Sequence, residues 1–327
     1  MNPRNRTLAT EFILLGFSND LKINLVLFVV FMFLYLVSIN ANCLILCLVL
    51  INNNLHIQMY FFLCILSIID MCMTSAILPR FLVDLISGQR IISLAACKAQ
   101  FYVLILIGVS ECLLLALMAY DRYVAICRPL HYLVLMRWSK CYGMTAIVWI
   151  LSFVILLPVI SGNYFTLCYP NQINHFMCEG VTVLHLSCSD IHSKEVFVFM
   201  CCFMIAGLPF FFILASYIRI LFSVLKVKSS GRAKAFSTCS SHVMVVVLYY
   251  GISIVVYIGP SSKYSADYGK YFSLFSVVIC PTLNPLIYCL NNKDVKEAQR
   301  NVFYKLQLQF QQVKSLTTDF NIRSFQI

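Results

Sequence analysis

The chain has 327 residues, 61% of them hydrophobic and only 11% charged, with a net charge of +11 and a mean hydropathy of +0.86. Soluble domains average about 45–50% apolar and about 25% charged residues, so this excess of apolar surface must face lipid. The basic residues fall between apolar runs and in the C-terminal stretch, a pattern of membrane topology rather than of nucleic-acid binding.

A helix that crosses a bilayer needs about 20 mostly apolar residues. Seven segments meet this: Asn24–Leu50, Gln58–Pro79, Cys97–Tyr123, Cys141–Ile160, Val196–Phe222, Thr238–Gly259 and Tyr271–Leu290. The first follows a polar stretch with no small-residue cleavage site behind it, so it reads as its own insertion signal. The sequence predicts an all-α seven-transmembrane bundle over 24–290, a segment 1–23 before it and a tail 291–327 after it. Fifteen Lys and Arg residues fall on the side of the tail and nine on the other, which places the N-terminus outside and the C-terminus inside. Asn5-Arg6-Thr7 is a glycosylation sequon on the side read as extracellular. In the tail, Val295, Val302, Phe303 and Leu306 share one face of a short amphipathic helix suited to the inner leaflet.

Several residues break the apolar pattern. Asp70 and Glu111 lie deep in spans two and three, where an ionisable group faces the bundle interior. Two close carboxylates can share a proton or a cation, and with Asn42 and Asn284 they form a candidate sodium site or a structural hydrogen-bond network. Arg122, beside Asp121 at the inner end of span three, can be held by charge-assisted bonds. Pro79, Pro158, Pro209, Pro281 and Pro285 permit kinks, and Asn284-Pro285 adds a polar side chain to one of them. Four of the 16 cysteines lie outside the apolar runs or at their edge: Cys97 opens span three, and Cys168, Cys178 and Cys188 lie in the long outer loop. The outer side is oxidising, so pairing is expected, and spacing leaves three connectivities open.

The motifs then give a resemblance. Met118-Ala119-Tyr120-Asp121-Arg122-Tyr123-Val124-Ala125-Ile126-Cys127, continued by Arg128-Pro129-Leu130-His131-Tyr132, resembles the odorant-receptor signature. Lys234-Ala235-Phe236-Ser237-Thr238-Cys239-Ser240-Ser241-His242 and Pro281-Thr282-Leu283-Asn284-Pro285-Leu286-Ile287-Tyr288 are similar to that family's spans six and seven, and Ser216-Tyr217 also fits. The resemblance runs from about Glu11 to about Lys305. Three sites depart from it: Ile57-Gln58 stands for Thr-Pro before span two, Ala41 for Gly before Asn42, and Asn291 for Arg before Asn292.

The resemblance implies a rhodopsin-like G-protein-coupled receptor of the plasma membrane, with disulfides Cys97–Cys178 and Cys168–Cys188. It implies a ligand set of Leu104, Ile105, Gly108 and Val109; Cys201, Cys202 and Ile205; Tyr250, Ser253 and Tyr257; and Leu274 and Val277. That set is apolar with a few hydroxyls and no charge, which suits a small, hydrophobic, neutral odorant with one polar handle. Leu104 stands where amine receptors of the superfamily carry Asp. The implied switch comprises Asp121, Arg122, Tyr123, Tyr217, Asn284, Pro285 and Tyr288, with Tyr250 at the level of span six where ligand contact is transmitted to a heterotrimeric G protein of the stimulatory olfactory type. No catalytic motif and no cofactor other than a candidate sodium ion is read. An opsin would need a Lys within span seven, which Tyr271–Leu290 lacks, and a channel or transporter would need a longer polar path. A chemosensory receptor outside olfaction is the alternative within the same superfamily.

Overall fold

The computed structural model describes residues 10–161, 171–186, 196, 200–226, 229–258, 263–292, 294–302, 304 and 307. The long helices are α1 (Leu21–Ile51), α2 (Gln58–Ser87), α3 (Leu94–Cys127), α5 (Trp138–Ser161), α7 (Met200–Leu225), α8 (Ser229–Ile258) and α9 (263–291), with the short α4 (Tyr132–Leu135) and α6 (Gly180–His185) between them. Six described helices are long and apolar enough to cross a membrane, and α8 contains the shorter apolar stretch Cys239–Ser253. Residues 294–302 form α10, with Val295 and Ala298 buried. Val302 packs against the bundle as its pattern predicts, while the Phe303 and Leu306 of that pattern lie outside the described residues.

Helix ends follow local chemistry. Asp20 Oδ1 accepts from the Lys22 N–H at 2.8 Å and starts α1. Ser93 Oγ does the same for Ala96 at the start of α3. Gly88, at φ +66°, ends α2 in the left-handed region open to glycine. α2 therefore continues past Pro79, where the sequence reading ends it. A proline inside a membrane helix frees one carbonyl but need not end the helix when neighbours pack on both sides.

α7 and α9 each contain a π turn, at Phe203–Gly207 and Phe275–Ile279, just before Pro209 and Pro281. Each proline lacks the N–H that would bond one turn back, and the extra residue of the π turn takes up the mismatch.

A three-stranded sheet covers one end of the bundle, a feature absent from the sequence reading. β1 (Glu11–Leu14) lies in its centre, antiparallel to β2 (Ile91–Ser93) and parallel to β3 (Gln172–Ile173). Phe12 and Leu14 alternate inward and pack with Ile92, Cys97, Phe101, Ile173, Cys178 and Val183. This lid meets water, so the hydrophobic effect holds it, at about 1.5–3 kcal/mol per fully buried large side chain. Within the lipid-embedded bundle the neighbouring solvent is itself apolar, and cohesion comes from close packing and interhelical hydrogen bonds. α2, α3 and α9 are the most enclosed long helices, whereas α1 and α5 turn residues such as Val29, Phe33, Ile150 and Phe153 outward.

Candidate functional site

At the lid end, Cys97 and Cys178 are disulfide-bonded, with Cα atoms 5.4 Å apart. The bond ties the loop after α5 to the start of α3. Gln100, one turn along α3, accepts from the Cys178 N–H at 3.0 Å and donates to the Ala76 carbonyl at 3.2 Å, so α2, α3 and the loop are joined at one level. Cys168, Cys188 and Asn5 lie outside the described residues. His175 in this loop is 2% exposed, its ring 4.6 Å from that of Phe176, and its Nδ1 accepts from the Met177 N–H. Burial, aided by the nearby Lys270 ammonium, pushes the His175 pKa down to about 3, so the ring is neutral.

Below the lid, the candidate ligand residues divide. Tyr250 and Val277 belong to the main core, and Leu104, Ile205 and Leu274 pack against it. Ile105 packs instead with the lid cluster. Val109 is buried, and Gly108, Cys201, Cys202 and Ser253 are half-buried. The Tyr257 side chain lies outside the described residues. Ile205 and Val277 both sit in the π turns, which connects the helix irregularities to this level of the bundle.

The Tyr250 hydroxyl donates to the Cys112 carbonyl at 3.1 Å, and its ring lies 5.4 Å from Phe210. Tyr249, which the sequence reading passes over, donates to the Gly108 carbonyl at 2.8 Å and accepts from the Cys112 thiol at 3.3 Å. Two adjacent tyrosines thus fasten α8 to successive turns of α3. The consecutive Tyr-Tyr pair in an apolar span was the available signal, since a buried phenol needs a partner.

Midway along the bundle, Asp70 and Glu111 are 1% and 2% exposed and within electrostatic reach of each other. Asn284 Nδ2 donates to both Asp70 oxygens, at 3.1 and 3.2 Å. Asn42 donates to the Ser38 and Pro281 carbonyls, and its Oδ1 is buried with no partner. Asp70, Glu111 and Asn284 thus lie together at this depth, while Asn42 of span one reaches span seven through the Pro281 carbonyl.

At the opposite end from the lid, Arg122 binds the Asp121 carboxylate through two of its nitrogens. The other Asp121 oxygen accepts from the Tyr132 hydroxyl at 2.8 Å. Burial and the Asp121 charge push the Tyr132 pKa up, which keeps the hydroxyl protonated as a donor. Tyr217 and His242 Nδ1 share a 2.5 Å hydrogen bond between α7 and α8. Met118, Asp121, Arg122, Ser241, His242 and Tyr288 line a cavity of about 20 Å³, room for a water or two. Tyr123 holds the Arg128 guanidinium 6.0 Å from its ring centre, and Pro285 is buried in α9. Tyr60 donates to Asn292 and Asp294, both at 3.1 Å, and Asn292 also accepts from the Asp294 and Val295 N–H groups, fixing α10 to α2. Nothing in the sequence pattern joins these residues into one network.

A family model described as olfactory receptor matches residues 31–305. The chain belongs to the olfactory receptor family. Mouse olfactory receptor 8U9 is 42% identical over 304 residues, covering 91% of this chain and 96% of its own. Human olfactory receptor 2D2 is 43% identical over 307 residues, covering 92% and 98%. The fold is that of squid rhodopsin, with a TM-score of 0.70 at 16% identity, covering 89% of this chain and 88% of the rhodopsin chain.

The chain is therefore an odorant receptor with the G-protein-coupled receptor fold, a multi-pass protein of the plasma membrane and not an enzyme. A small-molecule ligand and a G protein are the partners that this olfactory receptor's family implies. Its structure separates two regions on shared helices: the lidded level of Leu104, Ile205 and Tyr250, and the level of Arg122, Tyr217 and His242.

Proposed function

We propose that this olfactory receptor binds a small, mostly hydrophobic, neutral volatile molecule beneath the lid and activates a stimulatory G protein, raising cyclic AMP. In this reading the lid end is extracellular, with residues 1–23 and the Asn5 sequon on that side, and the Arg122 end and residues 291–327 are cytoplasmic. The ligand set is Leu104, Ile105, Gly108, Val109, Cys201, Cys202, Ile205, Tyr250, Ser253, Tyr257, Leu274 and Val277.

The observation that carries the reading is the Tyr250–Cys112 hydrogen bond. It fastens α8 to α3 at the ligand level, and the same two helices carry His242 and Arg122 at the far end. A ligand that binds better when this bond is broken favours an arrangement with α8 moved away from α3. Separation there frees Tyr217 from His242, exposes Arg122 and opens a groove for a helix of the G protein. Asp121, Tyr123, Asn284, Pro285 and Tyr288 complete the moving parts. Leu130, Leu133 and Val134, at 92%, 77% and 64% exposure beside this groove, supply an apolar contact for the same partner.

In the same reading Asp70 and Glu111, both buried and within electrostatic reach of each other, offer the oxygen ligands that a sodium ion prefers. A bound cation would neutralise the buried carboxylates and favour the closed bundle.

The test is cyclic AMP in cells that carry a stimulatory olfactory-type G protein, against a panel of neutral volatile molecules. A response lost in Arg122→Ala at equal surface expression is expected. An undiminished response in that variant, or silence to the whole panel at confirmed surface expression, would overturn the reading.

A further inference from the structure

The ligand set above has no charge, yet the lid carries one to its edge. Glu179 follows the disulfide-bonded Cys178 and is only 8% exposed. Its Oε2 caps α6, accepting from the Thr182 N–H and hydroxyl, both at 3.1 Å. Its Oε1 is buried and accepts no hydrogen bond. A buried carboxylate oxygen without a donor is costly, and a capping role uses only the other oxygen.

The surroundings place Glu179 beside the ligand set. Glu179 lies within electrostatic reach of Cys202, a half-buried member of the ligand set on α7. The next residue, Gly180, packs so closely on Phe101 of α3 that a Cβ there would stand 3.0 Å from the ring. Leu104 and Ile105 follow Phe101 by one helical turn. Glu179 thus stands between α3 and α7, over the level where the ligand set lies.

We infer that Glu179 is the polar subsite of the ligand chamber, its free oxygen accepting a hydrogen bond from the ligand. This rests on the odorant reading above and narrows it: the polar handle of the ligand is a neutral hydrogen-bond donor, of which an alcohol is the simplest volatile example. A ketone or ester of equal length presents only lone pairs to the carboxylate and is rejected by it.

The test uses the full chain in cells, with 1-alkanols and 2-alkanones of four to ten carbons as probes and cyclic AMP as the readout. The wild type responds to alcohols at concentrations about tenfold to a hundredfold below those of the matched ketones, the range of a hydrogen bond to a charged group. Glu179→Gln keeps an oxygen for Thr182 but turns an amide towards the chamber, and the preference collapses. Thr182→Val disturbs the cap alone and keeps the preference, which separates ligand contact from lid structure. Should Glu179→Gln fail to reach the surface, Glu179→Asp, which withdraws the carboxylate by one methylene, weakens the preference instead. Equal or better response to ketones, silence to all alcohols, or an unchanged preference in the surface-expressed Glu179 variant overturns the inference. Where other odorants still raise cyclic AMP in that case, the subsite fails and the receptor reading stands.

Discussion

The Tyr250 hydroxyl and the Cys112 carbonyl are 3.1 Å apart, and this hydrogen bond ties α8 to α3 at the depth of the ligand set. Tyr250→Phe removes the bond and leaves the ring against Phe210. A buried neutral hydrogen bond contributes about 1 kcal/mol net. Its loss from the closed state shifts the balance towards the open one about fivefold. Basal cyclic AMP, normalised to surface expression, is expected to rise. An unchanged basal level with an unchanged odorant response would remove this bond from the switch.

Asp121 is held from two sides, by Arg122 and by the Tyr132 hydroxyl. Asp121→Asn keeps the shape but removes the charge that holds Arg122, and basal signalling should increase. Tyr132→Phe removes a single hydrogen bond and should raise it less. The ranking of the two variants in the same cyclic AMP assay is the check, and a reversed ranking would contradict the assignment.

His175 gives a pH dependence with a definite sign. Its pKa is pushed from an ordinary 6.5 to about 3 in the folded lid. The unfolded chain therefore binds a proton that the folded one refuses between those values. Stability is fully present above about pH 6.5 and falls as the pH drops towards 3. Thermal unfolding of the purified receptor should move to lower temperature across that window. The slope should flatten in His175→Asn, which retains an acceptor for the Met177 N–H but does not titrate.

Phe17 contacts the rings of Phe31, Phe81, Phe176 and Tyr271, at centroid distances of 5.3 to 6.4 Å, and lies under the Lys270 ammonium. Phe17→Ala opens a gap among them and is expected to cost about 2–3 kcal/mol, below the full core range because the ring is half-buried. Reduced surface expression and a lower unfolding temperature would report it. Wild-type values for both would show that the N-terminal segment is dispensable to the lid.

Spans and motifs were legible because lipid imposes a long apolar run on every crossing, and because Asp70, Glu111 and Arg122 are too costly in that setting to be incidental. The convergence of Asp70 with Asn284 followed from depth along the helices, and that of Arg122 with Asp121 from adjacency in the chain. The lid was not legible. Phe12, Ile92 and Ile173 carry a strand signal of only two to four residues each, and what makes them strands is one another, across separations that no local pattern encodes. The Tyr60–Asn292–Asp294 network was hidden for the same reason: three ordinary polar residues acquire a role only when α10 folds back onto α2.

The central place of β1 in the lid has a consequence for how the receptor is made. Residues 11–14 emerge early in synthesis, yet their pairing partners include Gln172 and Ile173, more than 150 residues later. Until the fourth crossing helix is complete and the chain has returned to the same side, that strand has only β2 to hold it. A segment made early is thus finished late, by a closure that spans half the molecule. A partly inserted chain carries Phe12 and Leu14 without Ile173, Cys178 and Val183 beside them, a hydrophobic face that is fully covered only when the lid shuts.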